Sequence, residues 1–136
     1  MNNMLRFFSK RMSVLAAVAV FGSLVAAATA TNWKTFDNAA FQAALKSGGT
    51  VLVDFHATWC PTCAQQKVSL DKLLAEKEFQ GMSNFVADYD TSTGLKREMQ
   101  VRSQSTLILF KGGHEVTRST GVTAVDELRA FLRKGL

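Results

Sequence analysis

Apolar residues along the chain recur at helical spacing in some segments and in unbroken or alternating runs in others, with turn residues between them. Asp37 stands where a helix cap belongs; Phe41 and Leu45 follow at helical spacing, and Ser47-Gly48-Gly49 ends the helix. Thr50 to Ala57 is rich in β-branched and aromatic residues and too short for a stable helix, which predicts a central strand. From Pro61 to about Glu78 the period is helical, with Val68, Leu70, Leu73 and Leu74 apolar and Lys67, Lys72, Glu76 and Lys77 solvated; Gly81 closes the helix. Asn84 to Tyr89 predicts a second strand, Thr93 to Gln100 a short helix, and Thr106 to Phe110 a third strand. Gly112-Gly113 is a hairpin signal into Glu115 to Thr120. The last helix is expected from Thr123, with Asp126 at capping-box spacing and Val125, Leu128, Phe131 and Leu132 buried. This order predicts an α/β domain in which a central mixed β-sheet is flanked by helices on both faces.

Residues 1–30 are read as lying outside that domain. Arg6, Lys10 and Arg11 make a basic start, Met12 to Ala28 is almost unbrokenly apolar, and Ala28-Thr29-Ala30 offers a small-x-small cleavage site. The segment is therefore expected to be a secretory signal peptide cleaved after Ala30. An uncleaved anchor is the competing expectation, since Met12 to Ala30 is close to the length that spans a bilayer. Either way the domain of residues 31–136 is expected outside the cytoplasm, periplasmic or secreted. The leader holds three basic residues and no acid, so the formal charge of +5 falls to +2 without it. No basic stripe with interleaved aromatics is present, and nucleic acid is not an expected partner. What remains is a single domain of ordinary size, expected as a monomer.

The chemistry concentrates at Cys60 and Cys63, the only two cysteines. Two cysteines separated by two residues at a helix start can close a small disulfide ring and reopen it without moving the fold. Cys60 is expected to attack, because the positive end of the helix dipole and the unpaired N–H groups of the first turn favour a thiolate there. Cys63, one turn further in, is expected to be covered and to resolve the mixed disulfide. Pro61, the only proline, suits the first helical position. A purely structural bridge is disfavoured, because so short a loop removes little chain entropy from the unfolded state. Metal binding is the sharper competitor: His56, Cys60, Cys63 and His114 make a four-ligand set, but the second half lacks the paired spacing of zinc motifs. A c-type haem is excluded, because Ala64 stands where its attachment motif needs histidine.

The run Val53-Asp54-Phe55-His56-Ala57-Thr58-Trp59-Cys60-Pro61-Thr62-Cys63 resembles the active-site strand and helix start of thioredoxins. Thr106-Leu107-Ile108-Leu109-Phe110-Lys111-Gly112-Gly113 is similar to the family's fourth strand and hairpin, and Gly121 falls where its last strand meets the final helix. The resemblance covers Thr50 to Leu136 and is looser over the first helix. It implies a thioredoxin-like fold and a thiol:disulfide oxidoreductase acting on protein thiols and disulfides, with no cofactor beyond the Cys60–Cys63 disulfide. Asp54 then corresponds to the buried acid beneath the resolving cysteine. Elementary chemistry points the same way, since a carboxyl inside an apolar strand is costly to ionise and suits proton transfer. A hydrated or hydrogen-bonded strand-end Asp is the plainer alternative. Trp59 is expected to shield the sulfurs and meet a protein substrate, or else to be a core aromatic.

Several positions depart from the family pattern. Ser105, in the loop Ser105-Thr106 that would dock substrate, stands where thioredoxins carry a cis-proline. A cis bond at a non-proline residue costs about 2.5–4 kcal/mol, so this loop is expected to be trans and reshaped, or strained. The departure also leaves the dithiol more open to metals. His56 replaces a common aromatic and, two residues from Asp54, should share its side of the sheet, either as a proton partner or as packing. Val86 falls near the place of a lysine, and the cysteine helix lacks an internal proline, which predicts a straighter helix. Thr62 can donate a hydrogen bond to the thiolate but carries no charge, which favours a reductant over an oxidant. A reductant outside the cytoplasm needs an electron source, for which a membrane disulfide reductase is the expected partner. The alternative function is a non-catalytic protein that binds a metal or a partner through the same cysteines.

Overall fold

The computed structural model describes residues 32–136. The leader read from residues 1–30 and its cleavage site lie outside the described residues. Chain order is β1 (Trp33–Thr35), α1 (Asn38–Lys46), β2 (Thr50–His56), α2 (Pro61–Leu74), a 3-10 turn (Lys77–Phe79), β3 (Ser83–Asp88), α3 (Thr93–Glu98), β4 (Thr106–Lys111), β5 (His114–Thr120) and α4 (Val125–Arg133).

The strands form one mixed sheet in the order β1-β3-β2-β4-β5. β2 is central: it runs parallel to β3, with Asp54 beside Val86, and antiparallel to β4, with Asp54 beside Leu107. Every β2 residue before His56 is buried, which is why the segment reads as a continuous run rather than an alternating one. Its two faces nevertheless part cleanly. Leu52 joins Leu70, Leu73, Leu107, Leu109, Leu128 and Leu132 under α2 and α4, whereas Val51, Val53 and Phe55 pack with Phe41, Phe85 and Ile108 under α1. The expected helices on both faces are thus present. By the strand's period of two, Asp54 and His56 share the α2 side with Leu52.

Four local expectations are corrected. β1 was not expected: three residues show no period, and the strand exists because it pairs parallel to β3, Trp33 against Asn84. α2 stops at Leu74, where the Ala75 N–H bonds back to Asp71 and Leu73; a separate 3-10 turn then buries Phe79, so Gly81 closes no helix. Val68 is exposed, because α2 turns Cys63, Gln66, Ser69, Leu70, Leu73 and Leu74 inward and leaves Val68 on the outer face. α4 begins at Val125, not Thr123; Ala124 occupies the cap position and no side chain caps the helix. The Thr123 carbonyl instead accepts from Ser69 Oγ at 2.7 Å, tying the helix entry to α2. Asp37 caps α1 as expected, accepting from the Ala40 N–H at 2.8 Å.

Candidate functional site

β2 delivers the chain to the site, and the turn after His56 places Cys60 at the head of α2. Cys60 is the helix cap itself, with extended φ and ψ of −91° and 111°, and Pro61 opens the first turn as expected. Its Sγ accepts from the Cys63 N–H at 3.1 Å, so the sulfur serves one of the helix's unpaired donors. Both cysteines are free thiols. Cys60 keeps 5% of its surface and Cys63 none, which lets a partner's sulfur reach only the first. Burial pushes the Cys63 thiol above its ordinary range, helped by its hydrogen bond with Cys60. Cys63 therefore holds its proton until a base removes it.

Asp54 lies near enough to Cys63 for its charge to add to that rise. Its carboxyl lies inside the sheet on the α2 side, with neither oxygen hydrogen-bonded. Burial raises its pKa from 3.8 to about 7, a shift that Lys67 opposes and Asp71 reinforces. Its strand neighbours Val86 and Leu107 offer no side-chain donor. A carboxyl tuned near neutrality takes and returns a proton with little energy lost in either direction. Asp54 is fully buried rather than a solvent-exposed strand-end acid.

His56 lies beside it, Nδ1 at 3.8 Å from Asp54 Oδ2, and Nδ1 is buried without a partner. Burial first, then the Lys67 charge, holds the imidazole below its usual pKa against the pull of Asp88.

Trp59 is 60% exposed, and its indole N–H donates to Asp90 Oδ2 at 2.8 Å. It is a fixed surface aromatic, not part of the core. Thr62 is exposed and donates no hydrogen bond to Cys60 among the described contacts.

The loop before β4 is trans throughout, and Ser105 takes a left-handed φ of +61°. Its N–H donates to Phe55 O at 2.8 Å and its carbonyl accepts from the Gly121 N–H at 2.9 Å. Ser105 Oγ donates to Gln66 Oε1 at 3.1 Å, and Gln66 Nε2 donates to Val122 O at 2.8 Å. Thr106 is buried, its hydroxyl shared between Ser103 O and Thr120 Oγ1. His114 starts β5 opposite Lys111, at the far end of the sheet from Thr106, so the four-ligand set of His56, Cys60, Cys63 and His114 does not assemble. Among the described residues no cluster of three His, Cys, Asp or Glu is placed to hold a metal ion.

The Thioredoxin family model matches residues 32–134. The chain belongs to the thioredoxin family. It is 40% identical over 85 residues to the bifunctional thioredoxin reductase/thioredoxin of Mycobacterium leprae, covering 62% of this chain and 18% of that protein. With the mitochondrial thioredoxin of Mus musculus it shares 33% identity over 105 residues, covering 76% of this chain and 63% of that one. The chain thus spans less than two thirds of either relative. Among solved structures, Trxlp from Edwardsiella tarda EIB202 superposes with a TM-score of 0.72 at 39% identity, over 74% of this chain and 97% of that one. The thioredoxin-like fold expected from the sequence is the observed one.

The Ser105 loop is held from within. Both main-chain groups of Ser105 are bonded internally, and its side chain is anchored to Gln66. Gln66 is absent from the candidates the sequence offers, though a signal is there: a large polar residue at helical spacing inside the stripe Cys63, Leu70, Leu73. Asp90, which orients Trp59, carries no comparable signal.

Proposed function

We propose that this thioredoxin-family chain is a thiol:disulfide oxidoreductase that reduces protein disulfides outside the cytoplasm, acting as a monomer. The observation that carries this is the pairing of a nearly accessible Cys60 with a fully buried Cys63 and an unpartnered, burial-tuned Asp54. Cys60 thiolate attacks a substrate disulfide, forming a mixed disulfide and expelling one substrate thiolate. Asp54 takes the Cys63 proton; Cys63 sulfur then attacks Cys60 Sγ, expels the second substrate thiolate and closes the Cys60–Cys63 disulfide. Two electrons pass to the substrate. A dithiol donor must restore the pair, a role suited to a membrane disulfide reductase if the leader of residues 1–30 directs export. Uncharged Thr62 between the cysteines supports the reducing direction.

The metal-binding alternative draws no support from His114, which lies too far from the cysteines to join them. Two measurements test the proposal. Reduction of a protein disulfide by the pre-reduced chain should vanish in Cys60→Ser, and turnover at the wild-type rate in that variant would defeat it. Titration of the Cys60–Cys63 pair against glutathione should give a potential well below that of the glutathione pool; a potential above it would reverse the direction.

A further inference from the structure

Buried proton transfer needs an exit as well as a base. Among the described residues, the buried side-chain atoms left without a hydrogen-bond partner are both Asp54 oxygens, His56 Nδ1 and Asn84 Oδ1. Three of these four belong to one pair on one face of one strand. Nδ1 of His56 is covered, yet the side chain keeps 18% of its surface. Nε2, on the opposite edge of the ring, is not among the buried unpartnered atoms and has no hydrogen bond among the described residues, which leaves it to water. One rigid imidazole thus spans from the covered carboxyl to water.

We propose that His56 is the proton relay of this site, passing to solvent the proton that Asp54 takes from Cys63 and returning one when the disulfide is reduced; this rests on the oxidoreductase function proposed above. The relay balances over a full cycle. As the disulfide closes, protonated Asp54 gives its proton to Nδ1, and Nε2 releases its own proton to water, leaving the Nδ1–H tautomer. When a dithiol donor reopens the disulfide, Nε2 takes a proton from water and Nδ1 returns one to Asp54, which reprotonates Cys63. The ring ends in the tautomer from which it began.

The 3.8 Å gap is about 0.7 Å longer than a hydrogen bond, close enough for a small side-chain shift to bring the pair into contact. Burial keeps the imidazole neutral near pH 7, the form that can accept at one nitrogen while donating at the other.

The other groups facing the pair are tied to partners of their own or lie at the surface. From α2, Lys67 and Asp71 face the pair, but Lys67 Nζ lies 3.0 Å from both Asp71 oxygens, and Asp71 also accepts from the Trp33 indole. Cys60 and Cys63 are the reacting groups themselves. From β3, Asp88 stands beside His56 in register, with its Oδ1 engaged by Thr91; β4 presents only Thr106 and Leu107.

The test follows the two thiolates released when the reduced protein meets an aromatic disulfide whose thiolate absorbs visible light. The first release reports attack by Cys60, the second reports resolution by Cys63. His56→Phe should leave the first release unchanged and slow the second about tenfold or more near pH 7. His56→Ala should slow it likewise, and added imidazole should restore it. A second release with the wild-type rate and pH profile in both variants would overturn the relay, as would a slowing that imidazole does not relieve. In the unsubstituted protein, the nitrogen resonances of His56 should follow the titration of Asp54 near pH 7 and lose that step in Asp54→Asn; resonances blind to Asp54 would also overturn it. A wild-type protein that releases the first thiolate and never the second would instead remove the oxidoreductase function, and the relay with it.

Discussion

Ser105 Oγ donates to Gln66 Oε1 across 3.1 Å, and that bond joins the loop ahead of β4 to the helix that carries both cysteines. Gln66 sits one turn beyond Cys63, so the loop and the dithiol are positioned by the same few residues of α2. Replacing Gln66 by Leu strands the buried Ser105 hydroxyl and takes the donor from the partly buried Val122 carbonyl. Urea denaturation should show a loss of about 1–3 kcal/mol. Ser105→Ala should cost less, and the two losses should not add in the double variant, since they break one network.

Restoring proline at position 105 should harm the protein. Proline fixes φ near −65° whereas Ser105 sits at +61°, and proline lacks the N–H that bonds to Phe55 O. Ser105→Pro is expected to lose roughly 3 kcal/mol, with Ser105→Gly much closer to wild type because glycine adopts the left-handed region freely. Thermal unfolding of the two variants side by side settles this; a Ser105→Pro chain as stable as wild type would mean that the loop has a second arrangement of equal energy.

Asp54 makes stability fall as pH rises. Its carboxyl titrates at about 7 in the folded chain and near 3.8 in the unfolded one, so between those values only the unfolded state gives up the proton. The folded state is unpenalised below about pH 4 and bears the full cost above pH 7, on the order of 4 kcal/mol. Asp54→Asn should flatten this slope and be more stable than wild type at pH 8, measured by denaturant midpoints across pH 4 to 8. Its exchange rate should nonetheless drop, because the stabilising change removes the base.

Cys63→Ser should convert turnover into capture. With Cys60 intact and no resolving sulfur, the mixed disulfide with a protein substrate accumulates, and mass spectrometry under non-reducing conditions should find it at stoichiometric yield. A Cys63→Ser chain that cycles normally would place resolution elsewhere.

Trp59 should matter to large partners and not to small ones. It is largely exposed and held by Asp90, so Trp59→Ala is expected to change stability by less than about 1 kcal/mol. KM for a protein disulfide should rise several-fold, while the rate with a small aromatic disulfide stays near wild type.

How much of this was legible in the sequence depended on whether a residue's role was written in its neighbours. β2, β4 and the start of α2 announce themselves, because buried strands are continuous apolar runs and Pro61 marks the first turn of a helix. Asp54 was legible from the thioredoxin resemblance and from being a carboxyl inside an apolar strand, and His56 from its spacing of two from Asp54. β1 escaped because its stability comes from pairing with β3, a contact between residues some fifty positions apart that three letters cannot advertise. The Thr123 capping pattern misled for a related reason: the Thr123 carbonyl is held by Ser69 on α2, and the helix starts two residues later, where that tether leaves off. Gln66 and Asp90 take their roles from a partner distant in sequence, and no local pattern names that partner.

The sheet ends in two unlike strands. β1 is only three residues long, and β5 is mostly exposed, carries His114, Glu115 and Arg118, and meets β4 through an irregular register at Leu109 and Phe110. An unpaired sheet edge is where an extended strand of another protein would add itself. One edge is too short to hold such a strand, and the other is charged and uneven. Such a strand would therefore find no long, even row of unpaired backbone groups on either side of this sheet.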